Sequence, residues 1–438
     1  MEHHAKASRA RGGFWRQMKA SVPRNVLVLG IVSLLTDASS EMMMWTIPFY
    51  IALLGGGAVW VGLVEGFRES LSSLLKLVSG WFSDRLGKRK ALVAIGYGIS
   101  TVVKPVLALA GAPWQVLGLL GVERVGKGIR TAPRDALIAA VVGEENRGKA
   151  FSFHRMMDHA GAVVGLVAGT ALVAYLFEHF RGKAETAGYE PIDVFKFMYL
   201  VAAIPAALAV VAVVVLVREQ ARAAGKGAGL DFRAGYDRRF WLFLVALLVF
   251  ALGNSSDMFL LVRAGEILGY DVVLSEVERA DMAANWSFPW QLPLMFLVLS
   301  LAKMVFSLPG GIVADKIGRA RTLAIGWAIY AVVYVLFGLA TSAWQAWALF
   351  VAYGLFYGFT EGVEKAVVAD FVRPEVRGAA YGLYAFADGI AKLPASLLLG
   401  LLYQYAGPAV AFGVGGACAG LACVLLVVLV GAARRPAA

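Results

Sequence analysis

Long apolar runs separated by short polar or glycine-rich intervals recur along the whole chain. A helix that crosses a bilayer needs about 20 mostly apolar residues, and twelve stretches reach that length. Numbered as segments 1 to 12, they cover 25–54, 58–82, 91–111, 114–142, 149–177, 195–217, 240–265, 286–313, 321–341, 343–370, 377–404 and 407–431. The pattern predicts an all-α membrane protein with 12 transmembrane helices. Several segments exceed the bilayer thickness and must tilt or project beyond it.

Composition agrees with the pattern: 59% of the 438 residues are apolar and only 16% are charged, whereas a soluble domain carries about 25% charged residues. The net charge of +11, from 41 Lys plus Arg against 30 Asp plus Glu, could suggest nucleic acid, but its placement argues otherwise. Basic residues collect in the even-numbered connections, at Arg85, Lys88, Arg89 and Lys90, then Arg147 and Lys149, then Arg218 through Arg239, then Lys316, Arg319 and Arg321. The odd connections are tiny or acidic, as with Asp271, Glu276, Glu278 and Asp281. By the positive-inside rule the even loops and both termini are expected in the cytoplasm. The partners expected are the lipid bilayer, a small molecule or ion, and protons; nucleic acid is not among them, and the chain is expected to be a monomer. The two cysteines, Cys418 and Cys423, lie in the last apolar run and read as small hydrophobes without a disulfide framework.

The chain repeats itself. Gly80-Trp-Phe-Ser-Asp84-Arg85-Leu-Gly87-Lys88-Arg89 after segment 2 returns as Gly311-Ile-Val-Ala-Asp315-Lys316-Ile-Gly318-Arg-Ala after segment 8. Ser39-Ser40-Glu41-Met42 returns as Ser255-Ser256-Asp257-Met258, Arg147-Gly148 as Arg377-Gly378, and Asp158 as Asp388, all at offsets of about 220 residues. The division expected is a basic tail (1–24), a first six-helix bundle (25–217), a linker (218–239), a second six-helix bundle (240–431) and a short tail (432–438).

Twelve spans, two pseudo-symmetric halves and the doubled G-x-x-x-D-[RK]-x-G-[RK]-[RK] signature resemble the major facilitator superfamily over essentially the whole chain. The resemblance implies that Gly80, Asp84, Arg85, Gly87, Lys88 and Arg89, with Asp315, Lys316 and Gly318 in the repeat, form a cytoplasmic gate that holds the halves together in the outward-facing state. In segment 4, Glu123-Arg124-Val-Gly126-Lys127-Gly128-Ile-Arg130 partly matches the superfamily's R-x-x-x-G element at Arg124 and Gly128, an element associated with proton coupling. That string, Asp37 to Glu41, and His154-Arg155-x-x-Asp158-His159-x-Gly161 are similar to a largely uncharacterised prokaryotic branch that includes nickel-resistance exporters. The glycine-proline pair of the antiporter motif is absent from segment 5, where Leu166 follows Gly165.

Charges inside spans are costly, about 2.5 to 3.5 kcal/mol each at a helix centre on insertion scales, and normally face the bundle interior. Asp37 and Glu41, four residues apart, share one face of segment 1. In segment 4, Glu123, Lys127, Arg130 and Arg134 follow at steps of four, three and four, which predicts one basic stripe. Asp37, Glu41, Asp158, Asp257 and Asp388 are the proton-coupling candidates, because burial makes a carboxylate easier to protonate. Arg124, Lys127, Arg130, Arg134, Glu361, Glu364, Lys365, Trp45 and Tyr357 are the central-cavity candidates. Aligning Gly128 with Gly358 sets Arg134-Asp135 against Glu364-Lys365 with reversed sign. Ion pairs between the halves, Arg134 with Glu364 among them, are one expectation, and satisfaction of each within its own half is the other.

For cargo, the basic stripe favours an anionic or zwitterionic organic solute, with aromatics such as Tyr50, Trp286, Trp290, Tyr353 and Tyr357 available to line a path. The alternative is a divalent cation of the nickel or cobalt type, for which His154, Asp158 and His159 are weak ligand candidates; no resident metal or cofactor is expected. A nucleophile triad, an HExxH pair and a Walker-type loop are all absent from the sequence, which argues against an enzyme. The expectation is therefore a secondary transporter, working by proton-coupled efflux, with a non-transporting receptor as a minor alternative.

Overall fold

The computed structural model describes residues 23–86, 89–142, 147–219, 236–269, 290–361, 363–372 and 377–430. Most of the basic tail, Gly87, Lys88, nearly all of the linker, the acidic residues from Asp271 to Asp281, Trp286 and the residues 432–438 lie outside them. The described chain is helical, with no strand among the described residues. Segments 2 to 6 are helices Ala58–Leu86, Arg89–Leu107, Pro113–Ala140, Arg147–Arg181 and Pro191–Leu216. Segments 8, 9, 11 and 12 are Gln291–Ile317, Arg319–Leu339, Arg377–Ala406 and Pro408–Leu425, the last ending in a π-helical turn, Leu426–Val430.

The ends of these helices follow from local chemistry. Proline occupies the first turn at Pro113, Pro191 and Pro408, where its missing N–H is no loss. Ser342 with Gln345 and Glu190 with Asp193 form reciprocal capping boxes. Gly318, at φ +96°, joins segments 8 and 9 in the left-handed region where any side chain would be strained, so this glycine of the repeated motif has a backbone reason for being there.

Two expected spans are broken, a correction to the continuous helices read from the sequence. Segment 1 divides into Arg24–Met44 and Ile47–Leu53, because Pro48 cannot donate to the carbonyl one turn earlier. Segment 7 divides into Arg238–Gly253 and Met258–Ile267. Here Asn254, Ser255, Ser256 and Asp257 compete with the backbone for hydrogen bonds, and Tyr330 Oη donates to the freed Gly253 carbonyl at 2.9 Å. Segment 10 is described as two helices, Ala343–Thr360 and Val363–Phe371, with Glu361 between them and Gly362 outside the described residues. Among the described residues, nine of the segments are long and apolar enough to cross a membrane by length and composition, and the described parts of 2, 4 and 10 fall short. Segments 2 and 4 fall short because of their intramembrane charges, and they are the ones that need protein, not lipid, around them. The outer surface is apolar: Leu109 is 81% exposed and Val102 62%, as expected where hydrocarbon is the solvent.

Glycines permit the tightest helix contacts. Gly161, Gly165 and Gly169 lay one face of segment 5 against the backbone of Leu34, Ala38 and Met42; a Cβ on Gly165 would sit 2.2 Å from the Ala38 carbonyl oxygen. Segments 2 and 11 meet in the same way: a Cβ on Gly62 would lie 2.3 Å from the Ser396 carbonyl oxygen and one on Gly389 2.1 Å from Ser73 Cβ. Within this contact, Ser70 Oγ donates to the Gly389 carbonyl at 2.6 Å and accepts from Leu393 N at 2.9 Å. The hydroxyl is thus inserted where the helical bond from residue 393 to residue 389 would run, one residue before Pro394. A serine of segment 2 completes the backbone of segment 11 at this point.

Candidate functional site

The intramembrane charges form two groups. In the first, Asp37 and Glu41 on segment 1 are half-buried, and neither makes a hydrogen bond or ion pair with the described residues. Lys127 of segment 4 is the foremost opposite charge acting on both. The helical spacing explains this. Residues 37 and 41 lie on one face, while Ser39 turns the other way, donating to the Ala202 carbonyl and accepting from Lys104.

The basic stripe of segment 4 is less uniform than its spacing suggests. Arg124 turns to Glu69 of segment 2 at 3.2 Å and to Glu123 at 3.6 Å. Arg130 is buried against segment 3, donating to Ser100 Oγ at 2.5 Å with its guanidinium 4.3 Å from the Tyr97 ring centroid. Arg134 pairs with its neighbour Asp135 at 2.9 Å. The stripe keeps to one side of the helix, since steps of four, three and four close within about 60° at 3.6 residues per turn, but its cations do not act as one. Lys127 is the foremost positive charge acting on segment 1, while Arg130 and Arg134, and Arg124 beside them, have hydrogen-bond or ion-pair partners of their own.

The second group surrounds Asp257, at the break in segment 7. Its carboxylate accepts from Tyr353 Oη at 2.9 Å, from Tyr357 Oη at 2.9 and 3.0 Å, and from Lys303 Nζ at 3.1 Å. Lys303 Nζ lies 3.5 Å from the Tyr357 ring centroid. Nearby, Glu364 accepts from Tyr384 Oη at 2.5 Å and faces Trp327 Nε1 at 3.5 Å. Arg134 and Glu364 thus have partners within their own sets of six segments, which is the second of the two expectations and not the pair between halves. Asp388 pairs with Lys392 at 3.5 Å on segment 11, and Glu361 and Lys365 are exposed. Polar contacts do cross between the sets: besides Ser70 with Gly389 and Leu393, Ser256 Oγ donates to Glu65 Oε2 at 3.4 Å, while Glu65 also holds Arg68.

Other candidates lie elsewhere. Trp45 is 1% exposed, in the packed interior. Asp158 accepts from Ser33 and stands 3.5 Å from His154 Nδ1. His154 is buried while His159 is exposed, so the two imidazoles do not converge. Among the described residues no three His, Cys, Asp or Glu side chains gather as a metal site. Gly80, Asp84 and Arg85 fall on the last turns of segment 2 and Asp315 on the last turn of segment 8, with the side chains of Asp84, Arg85 and Asp315 outside the description. Arg89 is buried and Lys316 exposed.

Three charges escaped the sequence reading. Lys104, 1% exposed, donates to Ser39 Oγ and, at 3.3 Å, to Ser40 Oγ. Lys303 completes the Asp257 group. Arg263 caps the end of segment 9, donating to the carbonyls of Phe337 at 3.2 Å and Ala340 at 2.6 Å. A lone lysine in an otherwise apolar run was the available signal for the first two, since such a residue requires a partner.

The family model described as Major Facilitator Superfamily matches residues 29–284 and 284–438. An uncharacterized MFS-type transporter of Methanocaldococcus jannaschii is 32% identical over 87% of this chain and 89% of its own. The multidrug resistance protein MdtH of Edwardsiella ictaluri is 29% identical, over 30% of this chain and 32% of its own. Among solved structures, a POT family transporter in complex with 5-aminolevulinic acid superposes with a TM-score of 0.73 at 14% identity, covering 94% of this chain and 97% of that one. The nucleoside transporter NupG does so with a TM-score of 0.69 at 13% identity, covering 94% and 100%. At such identities the structures speak for the fold alone. Matched from residue 29 to its end, this chain belongs to the Major Facilitator Superfamily of transporters.

Proposed function

We propose that the chain works by alternating access between two bundles, 25–217 and 240–431, exporting a small anionic or zwitterionic organic solute in exchange for protons across a prokaryotic inner membrane. The observation that carries this reading is the pair Asp37 and Glu41: two half-buried carboxylates one turn apart, without a fixed partner among the described residues, opposite Lys127. A carboxylate held in low dielectric by no fixed hydrogen bond changes protonation at small cost, and its charge state alters its attraction to the facing lysine. When both are ionised, they can hold a cationic group of a zwitterionic solute whose anionic group meets Lys127; when protonated, they lose it. Competition between proton and solute for one pair of carboxylates is a sufficient device for exchange. The partial likeness to MdtH supports the outward direction, and the gate role of Asp84, Arg85 and the repeated Asp315 and Lys316 belongs to the same proposal.

A thermal-shift panel of amino acids, sugars, drugs, siderophore-like anions and metal ions on purified protein selects the solute. Solute-dependent collapse of a pH gradient in inverted vesicles then tests the coupling. Asp37→Asn and Glu41→Gln are each expected to remove most of that signal. Full proton exchange in the double variant would overturn the role given to the pair. The competing nickel or cobalt reading rests on His154 and Asp158, 3.5 Å apart; it requires that a deletion strain become metal-sensitive and that His154→Gln fail to restore resistance.

A further inference from the structure

The geometry points to a cation-binding subsite at the break in segment 7, formed by Asp257, Tyr353 and Tyr357, that takes the alkylammonium group of a solute and is held in the ligand-free protein by the chain's own Lys303. The inference rests on the transport reading above and narrows its substrate class to solutes that carry an amine.

The chemistry of the pocket is that of cation recognition. Asp257 supplies the negative charge, and two tyrosine hydroxyls, at 2.9 and 2.9 to 3.0 Å, fix its orientation. The rings of Tyr353 and Tyr357 stand 5.3 Å apart at 90°, so one presents its face where the other presents its edge. Lys303 Nζ occupies the space so defined, 3.1 Å from Asp257 Oδ2 and 3.5 Å from the Tyr357 centroid. An ammonium between a carboxylate and an aromatic face is the arrangement by which proteins bind alkylated amines.

Three features make Lys303 an occupant rather than a permanent part of the wall. It arrives from segment 8 on a flexible four-carbon stem, which can withdraw without moving a helix. Among the described residues its ammonium makes one hydrogen bond, to Asp257, although it has three to give. The side chains of Asp257 and Lys303 keep 18% and 26% of their surface exposed, so the pair is reachable from outside the packed core, whereas Tyr330, Tyr334 and Trp327 behind it are fully buried. The break in the helix matters as well. Asn254 to Asp257 leave the helical path, and Asp257 thereby reaches residues of both segment 8 and segment 10.

A tethered cation competes at an effective concentration of the order of mM or more, so the intact protein should bind a free amine weakly and removal of the tether should reveal the site. Lys303 then acts as an internal competitor: it keeps Asp257 neutralised during the empty half of the cycle, and a solute ammonium replaces it.

Binding of ethylammonium and tetramethylammonium chloride to purified full-length protein, by isothermal titration at constant ionic strength, tests this without any proton gradient. Lys303→Gln is expected to bind ethylammonium at least tenfold more tightly than the unaltered chain. Asp257→Asn in the Lys303→Gln background should lose the gain. Tyr357→Leu in that background should weaken tetramethylammonium several-fold, while Tyr357→Phe keeps most of it. If Lys303→Gln is not monodisperse, Lys303→Met keeps the stem packed and serves instead. Ammonium affinity that is unchanged on removing Lys303, or a gain that persists without Asp257, overturns the subsite. Because binding is read directly, absence of proton-coupled transport would remove the function proposed above and leave this result standing.

Discussion

A four-residue motif, two serines, a carboxylate and a methionine, occurs in both halves of the chain and is used in two ways. Ser39-Ser40-Glu41-Met42 lies within an unbroken helical turn, and Glu41 has Asp37, Lys127, Arg68 and Arg124 as its charged surroundings, with no hydrogen bond or ion pair to any of them among the described residues. Ser255-Ser256-Asp257-Met258 lies at a break, and Asp257 accepts from two tyrosines and a lysine. The lesson is that a repeated motif preserves position, while the neighbours supplied by other segments decide the chemistry. A carboxylate with three donors is a charged anchor; a carboxylate with none is free to take a proton.

The largest effect expected from breaking this contrast is on stability. Asp257→Asn strands a partly buried ammonium, and should cost about 2 to 3 kcal/mol, below the ~3 to 5 of a fully buried pair because both side chains stay partly exposed. It should appear as a clear fall in the unfolding temperature in detergent, and Asp257→Asn with Lys303→Gln should recover more than half of it. No fall in the single variant would mean that Asp257 is as loosely held as Glu41. Next in size, Ser70→Ala should cost about 1 kcal/mol by leaving the Gly389 carbonyl and the Leu393 N–H without their shared hydroxyl. The smallest effect belongs to segment 1: Asp37→Asn and Glu41→Gln should change stability by less than about 1 kcal/mol, or raise it, because no fixed bond is lost. The same thermal measurement checks all of them, and a large loss in Asp37→Asn would erase the distinction between the two groups.

How far the sequence could be read depended on the kind of information required. Helices, their ends and their repetition depend on near neighbours. Apolar runs and the polar intervals between them therefore located most segments within a few residues, and Pro48 could have announced the break in segment 1. The break in segment 7 was harder, because Asn254 to Asp257 contain no proline and the helix there is lost to side-chain competition and to Tyr330 from segment 9. The basic stripe of segment 4 keeps to one side of its helix, yet Arg130 goes to Ser100 and Tyr97 of segment 3 and Arg134 to Asp135, partners that the spacing along one helix does not name.

What the amino-acid order determined by itself was the solvent, the rough limits of the long apolar segments, and the positions where charge must be justified. Each follows from local free energies, of apolar surface in hydrocarbon and of charge at depth, that hold whatever the partner. Tertiary structure alone decided which partner each charge found: Lys303 for Asp257, Ser39 for Lys104, Ser70 for the backbone of segment 11. These pairs are separated by 46, 65 and 319 positions, and their chemistry depends on angstrom-scale distances that no spacing along one helix encodes.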